Sequence, residues 1–357
     1  MSFLDAQNVS VFNGYHNVDY SILHETLNHD QQSFLQDLGI FQSSYSEFPS
    51  IGLKEITYGY SALESVDPRS DAYHSTTIPL GTAVELSMAY TALKDAFGKP
   101  DLMQMVKRDS KTDAMTTSNI ASKIDVLIGQ YTQAHNMSLN STLEQAYSKA
   151  LFELKAEDAE GTILNFQTEM GKTVNVHDID LATPTTDVFD ELDKIQQVIR
   201  KNLKQRTRHL DYILGIASPA YFRKIKSHPS VKQYILGSGF TPTFETGFEG
   251  KYQIAMLNDI LFVCAPEEIA AQLGVSGQGC LFLPSLQKDA SKELFPDFYC
   301  ESQRVIDFGL NGQDDLSNRY CTYTVINDLH TQCSVISDTS YLPVVRDPSL
   351  LVRSNWS

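Results

Sequence analysis

A chain of 357 residues with 42% hydrophobic content is long enough for one large domain or two to three smaller ones, and too apolar to be disordered overall. Its formal charge of −16 and pI near 4.9 exclude nucleic-acid binding as the main task, because phosphate contacts need clustered Lys and Arg. The opening MSFLDAQNVS has neither a basic nor an apolar targeting region, and no window approaches the roughly eighteen apolar residues of a membrane span. Cys264, Cys280, Cys300, Cys321 and Cys333 form no CxxC pair and are odd in number, so reduced thiols in a cytosol are expected.

Residues 1–53 contain no Lys or Arg, and their aromatics (Phe3, Phe12, Tyr15, Tyr20, Phe34, Phe41) follow neither helical nor strand spacing. This pattern suits an extended N-terminal arm lying on other protein surface. Residues 54–80 alternate, with Ile56, Tyr58 and Tyr60 on one side, a turn at Asp67-Pro68-Arg69-Ser70-Asp71 and a second strand through Thr77 and Ile78. Such a hairpin is marginal alone and must pack on its own domain or a neighbouring subunit. Residues 81–112 are expected to be helical, interrupted at Gly98-Lys99-Pro100. From Ser118 to about His135 the stripe Ile120, Ile124, Leu127, Ile128, Tyr131 predicts a long amphipathic helix.

The stretch STLEQAYSKALFELKAEDAEGTILNFQTEMG, residues 141–171, predicts a helix, a turn and a strand in one run. Ser141 and Glu144 have capping-box spacing, Leu143, Ala146, Tyr147, Ala150, Leu151 and Leu154 form one buried face, and Gly161 precedes the β-favouring Thr162 to Phe166. Val174 and Val176 are strand-like, and Thr183 to Asp187 supply a loop and N-cap before the helical stripe Val188, Leu192, Ile195, Ile199. Leu210 to Ile216 predicts a strand, Ser218-Pro219 starts a helix through Tyr221, Phe222 and Ile225, and Ser227-His228-Pro229-Ser230-Val231 restarts one to Leu236. Beyond Gly239, segments 251–256, 260–264, 279–284 and 320–326 read as strands between Gly, Pro and Asp turns.

Several of these segments, in this order, resemble one family. The helix–turn–strand of 141–171, the Ser-His-Pro-x-Val core at 227–231, the segment 279–284 and the closing run from Tyr341-Leu342-Pro343 to Arg353 are similar to the lambda-type major capsid proteins (major capsid protein E) of tailed bacteriophages. The resemblance implies an α+β fold of the Hong Kong 97 type: an N-terminal arm (1–53), an extended hairpin loop (54–80), a peripheral domain with spine helix and long sheet (81–184 and 336–357), and an axial domain (185–335). It implies a non-enzymatic shell subunit that self-assembles into hexamers and pentamers, forming an icosahedral head around double-stranded DNA without sequence-specific binding. Assembly in the host cytoplasm with scaffolding, portal and decoration proteins, and no membrane partner, would follow. An encapsulin-like compartment subunit and, from another class, a soluble cytosolic Cys/His enzyme are the alternatives.

Chemical motifs are weak. His24 and His29 imitate a zinc-protease HExxH but stand five residues apart, about 140° around a helix, so surface histidines are expected. The glycines at 237–239 and 274–279 lack the strand–helix context of phosphate loops. Cys264 or Cys300 with His209, His228 or His330 could assemble a thiol site, but no local signature surrounds them, and no Gly-x-Ser-x-Gly elbow exists. Asp125, Glu144, Asp158, Glu160 and Asp190 are explained as solvated faces or caps. No catalytic, cofactor or metal residue is therefore assigned. The candidate intersubunit contacts are Tyr58, Tyr60, Pro68 and Arg69 on the hairpin, and the basic cluster Arg200, Lys201, Lys204, Arg206 and Arg208, which could meet acidic surface of a neighbouring copy.

Overall fold

The computed structural model describes residues 12, 14–27, 33–53, 84–109, 117–157, 160–161, 163–238, 244–247, 251–274, 277–300, 302, 319–328 and 331–355. In chain order, the first part comprises helices α1 (Ile22–Leu27) and α2 (Phe34–Asp37), strands β1 (Gln42–Ser46), β2 (Ser50–Leu53), β3 (Val84–Ser87) and β4 (Ala89–Gly98), and helices α3 (Lys99–Asp109) and α4 (Thr117–Ser148). A π-helical turn ends α4. Hairpin strands β5 (Lys155–Glu157) and β6 (Ile163–Asn165), helix α5 (Phe166–Met170), strand β7 (Asn175–Val176) and helix α6 (Val188–Leu203) follow. Then come β8 (Leu210–Ala217), α7 (Pro219–Ser227), α8 (Pro229–Ser238), β9 (Phe244–Gly247), β10 (Tyr252–Leu257), β11 (Ile260–Cys264) and α9 (Glu267–Ala270). The chain closes with β12 (Gly279–Leu286), α10 (Lys288–Leu294), β13 (Pro296–Cys300), β14 (Tyr320–Ile326), β15 (Gln332–Pro343) and β16 (Val352–Asn355).

Two sheets organise these elements. In the first, β15 is central: β4 and β14 pair with it antiparallel, β13 joins its end at Phe298↔Leu342, and β1 lies parallel to β13. Helix α4 lies on this sheet. Its apolar stripe puts Ile124, Leu127 and Ile128 against Phe97, Leu102, Val335 and Phe12, and Tyr131 stacks on Phe97 with ring centroids 5.9 Å apart. Fully burying each such side chain contributes about 1.5–3 kcal/mol.

The second sheet has the order β7-β16-β12-β8-β11-β10-β9. Its central strands read as continuous apolar runs, because helices cover them: the buried stripe Val188, Leu192, Ile195 and Ile199 of α6 and Tyr221, Phe222 and Ile225 of α7 belong to the same core as Ile213, Leu214, Val263 and Leu281. Gly215 in β8 is a packing requirement. A Cβ there would stand 3.1 Å from the Phe262 ring and 3.3 Å from Phe282, two rings in edge-to-face contact at 5.7 Å. The local start signals operate as expected: Asp187 caps α6 by accepting from the Phe189 amide, and Ser218 caps α7 before Pro219.

Three expectations are corrected. Residues 84–98 are strands instead of helix; Ala, Leu and Lys favour a helix locally, but pairing with β15 from Tyr341↔Ala89 to Gln332↔Gly98 overrides that weak preference. Helix begins only at Lys99. The long helix does not stop near His135; it runs to Ser148, so Ser141 is interior to it and caps nothing. Finally, the described residues between 12 and 53 do not all stand away as an arm, since Phe12, Phe34, Leu35, Ile40 and Phe41 are buried in the chain's own cores. Their irregular spacing reflects two short helices and two short strands, each too brief to establish a period.

The chain passes between the two sheets more than once. Strand β14 pairs with β15 in the first sheet, whereas β16 is inserted between β7 and β12 of the second. The segment 155–171 forms the expected hairpin, with Gly161 at φ +80° and Gly171 at +61° closing α5.

Candidate assembly surfaces

Strands β2 and β3 pair antiparallel from Ser50↔Ser87 to Leu53↔Val84, so Leu53 and Val84, the described residues that flank segment 54–83, stand side by side. Tyr58, Tyr60, Pro68 and Arg69 lie outside the described residues. Beside this base, Phe48 is 68% exposed, and Tyr45 packs edge-to-face on Tyr299 at 5.8 Å.

Helix α4 holds the N-terminal segment through buried polar groups. His24 of α1 is buried, contrary to the expected surface histidine. With the ring neutral, Nδ1–H donates to Asn136 Oδ1 at 3.1 Å, and Nε2 accepts from the Thr322 hydroxyl at 2.5 Å. The relay continues through Ser337 (2.6 Å from Thr322) and His135 (2.8 Å from Ser337) to Asp95, 2.9 Å from His135. Burial pushes the His24 imidazole down to about 4; the Asn136 hydrogen bond opposes this, His135 reinforces it and Asp19 opposes it. His29 lies outside the described residues, and no group of three His, Cys, Asp or Glu side chains converges on a metal site among those described.

About two turns further along α4, Glu144 takes the next piece of the segment. Its Oε1 accepts from the Leu35 amide at 2.8 Å, at the first turn of α2. Burial raises this carboxyl to about 7, the Leu35 and Gln36 amides pull it back, and nearby Asp37 pushes it up again. Sequence reasoning treated Glu144 as a cap. The missed signal is that it is the sole Asp, Glu, Lys or Arg between Val126 and Ser148.

A second buried group ties β1, α4, β13 and β14 together. Arg319 Nη2 lies 2.5 Å from Asp297 Oδ2, the Tyr147 hydroxyl donates to the same oxygen at 2.5 Å, and Arg319 Nη1 reaches Ser43 Oγ at 3.2 Å. Asp297 is fully buried. Burial pushes the Tyr147 phenol up, so it remains a donor.

The predicted basic cluster is brought together at the end of α6 and the 3₁₀ turn after it. Arg206 pairs with Glu293 at 3.4 Å, and Arg208 donates to His209 Nε2 at 2.9 Å. Arg200, Lys201 and Lys204 are exposed and make no ion pair among the described residues. Arg200 edges a cleft of about 310 Å³ lined also by Thr207, Asp211, Tyr212, Met256 and Asp259.

No thiol site is assembled among the described residues. His228 is engaged by Ser230 Oγ at 2.9 Å and the Thr183 carbonyl at 3.1 Å, and His209 by Arg208. Burial pushes the Cys264 and Cys280 thiols up, the opposite of what an activated nucleophile needs.

Long helix on sheet, second covered sheet and loop base together define a capsid-type α+β subunit. The putative capsid protein of a prophage of Escherichia coli CFT073 is similar with a TM-score of 0.55 and 12% identity, covering 95% of this chain and 99% of that one. A phage-related protein from Bordetella bronchiseptica RB50 is similar at 0.50 and 9% identity, covering 94% and 96%. In sequence, the major capsid protein of Pseudomonas phage KPP10 is 20% identical over 340 residues, 89% of this chain and 90% of that protein. The profile of the phage major capsid protein E family matches residues 23–258, and the chain belongs to that family. It is a structural subunit of the virion's shell, which many copies of one chain build together.

Proposed function

We propose that the chain forms hexamers and pentamers that close into an icosahedral head around double-stranded DNA, acts without catalysis, and assembles in the host cytoplasm with scaffolding, portal and decoration proteins. The observation that carries this reading is the basic corner: Arg200, Lys201 and Lys204 lack counter-ions among the described residues of a chain whose net charge is −16. Exposed cations on an acidic subunit complement acidic surface on a second copy and steer its approach. The same net charge lets the inner wall hold DNA without binding it.

In this reading segment 54–80 is the extended loop, with Tyr58 and Tyr60 packing on a neighbour and Pro68 and Arg69 at its tip. The first sheet with α4 forms the peripheral part, and the second sheet with α6 to α9 the axial part. The test is the triple variant Arg200→Glu, Lys201→Glu, Lys204→Glu. It is expected to fold, by circular dichroism, and to give no shells or capsomers by electron microscopy. Normal shells from the triple variant would remove the corner from the assembly contacts.

A further inference from the structure

Two buried histidines are joined by two hydroxyls in one line. From the solvent inward it runs from Asp95 Oδ2 to His135 Nε2 (2.9 Å), His135 Nδ1 to Ser337 Oγ (2.8 Å) and Ser337 Oγ to Thr322 Oγ1 (2.6 Å). It ends with Thr322 Oγ1 to His24 Nε2 (2.5 Å) and His24 Nδ1 to Asn136 Oδ1 (3.1 Å). The fold fixes this arrangement, because Thr322 and Ser337 are directly opposite in the β14–β15 ladder and His135 and Asn136 are consecutive on α4. Asp95 is the wet end, with 56% of its side chain exposed, while the other five residues are buried.

The hydrogens in this line do not balance if both rings are neutral. Five contacts at hydrogen-bond distance need five hydrogens, and the two ends, an exposed carboxylate oxygen and an amide oxygen, are acceptors only. Ser337, Thr322 and each neutral imidazole bring one apiece, so the line is one short. A neutral line therefore sets two lone pairs face to face somewhere along it. Two charged rings would bring one hydrogen too many and set two donors face to face.

We propose that the line is a single-proton site: it takes up one proton, held on His135 beside Asp95, and that proton fastens α1 to α4 and the first sheet. The donors then all point the same way, His135 Nδ1–H to Ser337, Ser337 to Thr322, Thr322 to His24 Nε2, and His24 Nδ1–H to Asn136. Asp95 offers His135 a full negative charge at 2.9 Å, whereas His24 meets only a neutral hydroxyl and a neutral amide. Burial pushes His24 down to about 4 against the pull of Asn136, and His135 adds to the fall while Asp19 opposes it. Tyr131, 6.5 Å from the His135 ring, and Tyr320, stacked on His24 at 5.2 Å, also face the line, and burial raises both phenols, so neither brings charge. The latch has two limits. Losing the proton as pH rises breaks one bond of the line, and a second proton on His24 as pH falls opposes two donors; α1 is held fully only between them.

Nuclear magnetic resonance of the full-length unassembled subunit with ¹⁵N-labelled histidine tests this at pH 7, with His135→Gln and His24→Gln assigning the signals. His135 is expected to show two protonated ring nitrogens and His24 one. Thr322→Val frees the Ser337 hydroxyl to donate to His135, so His135 is expected to fall to one protonated nitrogen although Asp95 is intact. Asp95→Asn, at an exposed side chain, is expected to lose the proton at lower pH and to speed hydrogen exchange of the α1 amides about tenfold at pH 7, the equivalent of one hydrogen bond. A single protonated nitrogen on His135 in the unaltered chain, as a turned Asn136 amide donating to His24 would produce, overturns the proposal. So does a His135 that stays doubly protonated in Thr322→Val, because Asp95 alone would then account for the charge. If Thr322→Val does not fold, the unaltered chain and Asp95→Asn decide the matter.

Discussion

Acid should act with opposite signs on the two anchors that fasten the N-terminal segment to α4. His24 stands at about 4 in the folded chain against 6.5 when free, so its stabilising contribution is complete above pH 6.5 and is lost as pH falls towards and through 4. The displacement corresponds to about 3 kcal/mol. Protonation also gives the ring two donors, so Thr322 can no longer donate to it and the relay through Ser337 must reverse. Glu144 stands at about 7 against 4.5, so it costs about 3 kcal/mol above pH 7, and that cost is relieved as pH falls towards 4.5. Between pH 7 and 4.5 the two effects nearly cancel. They separate in variants. His24→Gln leaves only the Glu144 effect, and its stability should rise by about 3 kcal/mol relative to the unaltered chain over that interval; Glu144→Gln should fall by about as much. Urea unfolding of the unassembled subunit, followed by circular dichroism at pH 7, 5.5 and 4.5, reads this directly, since all other carboxylates contribute equally to the three proteins. Parallel pH profiles for all three would refute the reasoning.

Two further outcomes follow from buried geometry. Arg319→Met leaves the fully buried Asp297 carboxylate with Tyr147 as its remaining donor, and should cost about 3–5 kcal/mol in urea unfolding; adding Asp297→Asn should recover much of it, because the uncompensated charge is then gone. Gly215→Ala should cost about 1–3 kcal/mol by forcing the Phe262 and Phe282 rings apart, and Phe262→Leu in the same chain should be less damaging than the sum of the single changes, as a double-mutant cycle would measure.

Elements whose signals are local were legible in the sequence. Helix α6 announces itself by Asp187 and a stripe of four apolar residues, α7 by Ser218-Pro219, and β11 by an apolar run that opens after the two-residue turn Asn258-Asp259. The misread segments are those whose structure is decided by distant residues. Nothing between Val84 and Gly98 reports that β15, more than two hundred residues later, will pair with it. Ser141 looks like a cap because its partner at Glu144 has the right spacing, but Glu144's carboxylate is taken by the Leu35 amide more than a hundred residues earlier. Of the candidate contacts, the basic corner was legible because repulsion among five cations within nine residues is itself a sequence feature. The buried anchors were not, because His24, Asn136, Thr322, Ser337 and Asp95 come from five elements and are ordinary in each.

The β14 flank of the first sheet is governed by the N-terminal segment. Residues 17–20 seal β14 immediately before α1, and α1 is held by His24 in the core beneath. Whatever loosens His24 also loosens the seal, because only Ser21, Ile22 and Leu23 separate it from the last sealing amide, that of Tyr20.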